Sequence, residues 1–171
     1  MFNVRSWSGR LAACALFALS VGAVAALPRP AEAQIAAPAS GFASDRISVE
    51  VMGEGPDVVL IPGMASSREV WRETAEALAS DHRVHLVQLS GFAGQPWVHG
   101  GGDFWRPAVG EIARYIETAG LDRPAVIGHS MGGASGVMLA QERPELIGVV
   151  MADRPGRRSV VIRSRMAAPM A

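Results

Sequence analysis

The sequence predicts an α/β fold: a doubly wound, mostly parallel sheet with helices on its faces. Three observations predict it. Short apolar runs alternate with stretches of helical periodicity over residues 46–153. Two of those runs, "DVVLI" (Asp57–Ile61) and "PAVIG" (Pro124–Gly128), are almost uninterruptedly apolar, as strands are when both sheet faces are covered. A helical stretch follows each of them, the order that crossovers between parallel strands require.

The 171 residues suffice for one domain. Sixteen basic residues, all of them arginine, balance sixteen acidic ones. Such neutrality gives nucleic acid or an anionic membrane nothing to hold. Cys14 is the single cysteine, so disulfides and cysteine metal sites within the chain are excluded.

Arg5 and Arg10 precede an uncharged apolar run, Leu11–Leu27. Pro28 and Pro30 then break any helix, and Ala31-Glu32-Ala33 fits a small-x-small cleavage site. This order is that of a secretory signal over 1–33, and it predicts a secreted or periplasmic protein with no membrane association beyond export. Residues 34–45 lack periodicity and read as a flexible lead-in.

"RISVEVMG" alternates, with Ile47, Val49 and Val51 on one face, so it reads as a half-buried strand near an edge. The turn "GEGP" leads into Asp57–Ile61, which Pro62-Gly63 ends. "SSRE" offers Ser66 as an N-cap with Glu69 three residues on, followed by Val70, Trp71, Ala75 and Leu78 at helical spacing. Arg83–Leu89 is the next strand. A Gly-rich loop leads to a helix near 105–119, with Val109, Ile112, Ala113 and Ile116 on its apolar face and Gly120 as its stop. Then come the strand 124–128, a helix through Ala140, and the strand Leu146–Met151.

Between strand and helix stands "GHSMGG", residues 128–133. A serine presented at the carboxyl end of a sheet needs a sharp bend, which brings residues two before and two after it together. Side chains there would collide, so Gly128 and Gly132 fit the requirement, with His129 and Gly133 completing the elbow. The Met131 amide then opens the helix, where a developing oxyanion would sit, and the Met64 amide in "IPGMASS" is a second donor. The pattern alone is short; the buried strand before it and the helix after it give it weight.

"VVLIPGMASS", "GFAGQP" and "RPAVIGHSMGG", in this order and spacing, resemble the first half of an α/β-hydrolase-fold serine hydrolase over residues 46–153. The resemblance implies Ser130 as nucleophile, the Met64 and Met131 amides as oxyanion hole, and a "GFAGQP" segment overhanging the pocket. It implies an ester or related acyl small molecule as substrate and an acyl-enzyme intermediate, with no cofactor and no metal.

In that family the acid and then the histidine follow the serine. Here His82, His85, His99 and His129 all lie at or before the elbow. His82 and His85 sit at the wrong end of a strand and read as surface or packed residues. His99, with Asp103 as orienter, is the secondary candidate for the base, and Asp153, at the end of the last strand, for the acid. Loss of nucleophile or base costs on the order of 10⁶ in rate.

After Asp153, Arg154, Arg157, Arg158, Arg163 and Arg165 occur without an acidic residue. The expectation is an irregular basic tail over 154–171, of the kind a shifted reading frame yields, on a domain truncated after the strand following the nucleophile helix. The leading reading is therefore a serine hydrolase portion lacking its acid and base, and an inactive or barely active chain is part of that expectation. The alternative is a non-catalytic remnant or binding module that keeps the elbow.

Overall fold

A seven-stranded sheet carries three α-helices among the described residues, which are 35–36, 41–153 and 160–163 of this computed structural model. The chain divides into units Met1–Pro30 and Ala31–Ala171, and every described residue belongs to the second. The export signal expected over 1–33 lies outside the described residues.

The strands are β1 (Ile35–Ala36), β2 (Ile47–Met52), β3 (Asp57–Ile61), β4 (Arg83–Leu89), β5 (Ala125–His129), β6 (Val149–Asp153) and β7 (Val160–Arg163). The helices are α1 (Arg72–Leu78), α2 (Trp105–Thr118) and α3 (Met131–Glu142), with a 3₁₀ turn, Arg68–Trp71, leading into α1. The sheet order is β1-β2-β4-β3-β5-β6-β7. Its four middle strands, β4, β3, β5 and β6, are parallel, and antiparallel pairs complete both edges.

Alternation assigns each strand residue to a layer. Val59, Ile61, Val87, Val126 and Val150 pack with Val109, Ile112 and Ile116 of α2 and Leu139 of α3. Val58, Leu60, Val84 and Leu86 point the other way, onto Ala75 of α1. Each such aliphatic side chain contributes about 1.5–3 kcal/mol by leaving water. The face expected for α2 is the one it buries, and Gly120 beyond its end has φ +64°.

From β3 the chain moves to β4 on one side and then to β5 on the other. The carboxyl ends of β3 and β5 therefore flank the crevice where the winding reverses, the place where open α/β sheets put their sites.

Four expectations are corrected. Ser67, not Ser66, caps the 3₁₀ turn, its Oγ accepting from the Glu69 amide at 3.2 Å, while the Glu69 carboxylate turns to Arg72. Val70 is 58% exposed, because a 3₁₀ turn rotates side chains differently from the α-helix expected there. The lead-in over 34–45 is not all irregular: Ile35 and Ala36 pair with Met52 and Val51, using the open edge of β2. Phe42 also packs edge-on against Tyr115, with ring centroids 5.0 Å apart.

Within the stretch expected to be an irregular tail, and past the point where the domain was expected to stop, Val160–Arg163 pairs antiparallel with β6. Two valines and an isoleucine suit a strand. Six intervening residues are too few for a parallel crossover, so the pairing is antiparallel. The other residues of 154–171 lie outside the described residues.

Candidate active site

β5 runs between β3 and β6 and ends at His129. Ser130 then turns the chain with φ 53° and ψ −116°, and α3 begins at Met131. A non-glycine residue there is strained by roughly 1–3 kcal/mol. Two backbone bonds hold the strain in place. The Ser130 amide donates to the Asp153 carbonyl at 2.8 Å, and the Ser130 carbonyl accepts from the Ala134 amide at 3.0 Å. Although Ser130 is the N-cap of α3, its hydroxyl makes no capping bond. A serine in that position ordinarily does cap.

The bend closes on itself as its glycines require. A Cβ on Gly128 would lie 2.2 Å from the Gly132 carbonyl carbon, and one on Gly132 would lie 2.2 Å from the Ile61 carbonyl oxygen. The exit of β3 thus packs on the first turn of α3. Gly63, in that exit, has the same closeness: a Cβ on it would sit 3.0 Å from His129 Nδ1 and 3.6 Å from Ser130 Cβ. Met64 is the next residue and is 63% exposed. Chain connectivity therefore puts the Met64 amide one residue from the contact with Ser130. The Met131 amide belongs to the first turn of α3, whose amides have no intrahelical acceptor.

The structure separates the candidates for acid and base. Asp153 is in register with His129 at the end of β6, and its carbonyl is what the Ser130 amide binds. His99 Nε2 lies 3.1 Å from Asp45 Oδ1, at ion-pair distance but without hydrogen-bond geometry, and its ring packs edge-on against Trp97. Asp103 does not orient His99. Its Oδ1 accepts from the Trp105 and Arg106 amides, capping α2, because those amides have no partner of their own. Among the described contacts none joins His82, His85 or His99 to Ser130.

His82 pairs with the neighbouring Asp81 at 2.8 Å. His85 is buried at the amino end of the sheet, its Nδ1 2.7 Å from the Tyr115 hydroxyl and its Nε2 2.9 Å from Asp57 Oδ1. Burial disfavours its charged form and lowers its pKa despite Asp57. Burial pushes the Tyr115 phenol up to about 12. Burial also acts to raise Asp57, but hydrogen bonds from Arg83 and His85 outweigh it and the net shift is downward. This network is structural and lies far along the strands from the elbow.

A family model described as "Alpha/beta hydrolase family" matches residues 58–171. Pimeloyl-(acyl-carrier protein) methyl ester esterase of Aeromonas salmonicida is 36% identical over 99 residues, 58% of this chain and 37% of that protein. The enzyme of the same name from Vibrio atlanticus is 31% identical over 114 residues, 66% of this chain and 42% of its own length. The crystal structure of an epoxide hydrolase from Vigna radiata superposes with a TM-score of 0.53 at 26% identity, covering 62% of this chain and 36% of that one. The chain spans less than half the length of each of these relatives. The matched residues contain the elbow and the sheet crevice described above, and the chain belongs to the alpha/beta hydrolase family.

Proposed function

We propose that the chain carries the nucleophile half of a serine hydrolase acting on an ester or related acyl substrate. The observation that carries the proposal is Ser130 itself: a strained residue at the crevice, its hydroxyl not used to cap the helix it opens. In the reaction Ser130 Oγ adds to the acyl carbonyl carbon while a base takes the hydroxyl proton. The carbonyl oxygen becomes an oxyanion facing the Met64 and Met131 amides. Its collapse expels the alcohol, which takes up a proton, and water then hydrolyses the acyl-enzyme. Two preorganised amides contribute on the order of 10²–10³ each in such sites.

Asp153 is the candidate acid by its place at the end of β6. For His99 to serve as base, its Nε2 would have to leave Asp45. The relatives' names support an ester as the substrate class, and the apolar run at residues 11–27 supports export to a secreted or periplasmic location. A second reading, a binding module that keeps the elbow without turnover, is favoured by the engagement of the candidate groups elsewhere: His99 lies 3.1 Å from Asp45, and Asp103 caps α2.

Ester hydrolysis by the purified chain tests the proposal, with Ser130→Ala and His99→Ala as controls. The expected result is marginal turnover that Ser130→Ala removes and His99→Ala leaves in place. Turnover unchanged in Ser130→Ala would overturn the assignment.

A further inference from the structure

Ser135 is 2% exposed, one of three buried polar residues among those described, and it sits one turn after Met131 in α3. A serine inside a helix has a choice of local acceptors. Here Ser135 Oγ donates to the Met131 carbonyl at 2.9 Å and accepts from Trp105 Nε1 at 2.8 Å. An indole N–H only donates, so Ser135 must be the acceptor of that bond and its single proton is directed to Met131. The direction of both bonds is therefore fixed.

We propose that Trp105 and Ser135 are a positioning pair, fixing the first turn of α3 and with it the Met131 amide. The inference rests on the reading of Ser130 as nucleophile and of that amide as an oxyanion donor. Two successive peptides of the turn are held: the Ser130 carbonyl by the Ala134 amide at 3.0 Å, and the Met131 carbonyl by Ser135. The second hold originates outside α3. Trp105 is the first residue of α2, and Asp103 caps that helix directly after the loop that follows β4. The loop's landing point and the elbow helix are thus tied by one indole N–H. Within the loop, Phe92 and Trp97 pack on Phe104, which adjoins Trp105. A ligand that shifts the loop has through this bond a direct mechanical route to the oxyanion donor.

The test uses the full chain with Trp105→Phe, which keeps a ring and loses the donor, Ser135→Ala, and the double variant. In ¹⁵N amide spectra the Met131 and Ala134 resonances are expected to move, and exchange of the Ala134 amide to rise roughly tenfold. Core amides such as Ile112 and Val87 stay in place. The double variant is expected to be no worse than the stronger single one, since both remove one strut. Labelling of Ser130 by a fluorophosphonate reagent is expected to slow about tenfold in its maximal rate, with an unchanged half-saturating concentration. Unmoved Met131 resonances, additive single effects, or moved resonances with unchanged labelling each overturn the positioning role. If Ser135→Ala does not fold, Trp105→Phe decides the matter alone. A wild-type chain that takes no label at Ser130 overturns the nucleophile reading instead, and the amide measurements still decide whether the pair holds the turn.

Discussion

The amide of Ser130 donates to the carbonyl of Asp153 at 2.8 Å, so the end of β6 anchors the residue that leaves β5. Strand pairing brings His129 opposite Asp153 and then continues one step into the turn. The elbow is therefore set by the sheet as well as by its own glycines, and its strain is maintained by bonds on both sides of Ser130.

Glycine at position 130 accepts a positive φ without the strain that a side chain adds. Ser130→Gly is expected to be more stable than Ser130→Ala by about 1 kcal/mol. Urea unfolding of the two variants checks this. A Ser130→Ala chain as stable as the glycine variant would show that the turn is not strained.

Gly132→Ala is expected to destabilise by about 3 kcal/mol or more, because its methyl would meet rigid backbone and not a side chain that can move. The contacts are the carbonyl oxygens of Ile61 at 2.2 Å and Pro62 at 2.6 Å. Denaturant unfolding measures the loss. A variant within about 0.5 kcal/mol of the parent would contradict the close approach of β3 and α3.

Acid should weaken the fold through the network of Asp57, His85, Tyr115 and Arg83. His85 has its pKa lowered by burial, so the unfolded chain binds the proton more readily, and stability falls as pH drops below the ordinary value of 6.5. Asp57 is also lowered, and its contribution is lost at still lower pH, as its folded carboxylate protonates below the ordinary 3.8. Both effects have the same sign. His85→Gln is expected to flatten the decline just below pH 6.5 while lowering stability at neutral pH. Thermal melts across pH 4–8 would read it, and an unaltered slope in the variant would contradict the assignment.

Tyr115→Phe removes the hydroxyl beside His85 Nδ1 and leaves a buried ring nitrogen without that partner. A loss of about 1–3 kcal/mol is expected. Equal stability of the two proteins in urea would mean that the bond contributes nothing net.

Much of this was legible because it is local. A glycine two before and two after Ser130, a buried strand and a helix are all neighbours in sequence, and the elbow is where they imply. The apolar spacing of Val109, Ile112, Ala113 and Ile116 likewise gives the face of α2 directly. Partnerships set by a loop's path or by a helix crossing were not legible. Whether Asp103 meets His99 or caps α2 depends on the loop's path, and the Trp105–Ser135 bond depends on how α2 crosses α3. Gly63 left a trace, a glycine after Pro62 at a strand end, but its need arises from the elbow it faces. Val160–Arg163 shows β-propensity too, yet its pairing is fixed by the short link from β6, a constraint of distance rather than of pattern.

Treatment of the whole chain with a fluorophosphonate reagent, with the adduct mapped by peptide mass spectrometry, reads the reactivity of Ser130 itself. A slowly formed adduct on Ser130 is expected, unaffected by His99→Ala and absent from Ser130→Ala. An adduct on another residue, or none at saturating reagent in a folded chain, would contradict the assignment of Ser130 as the nucleophile.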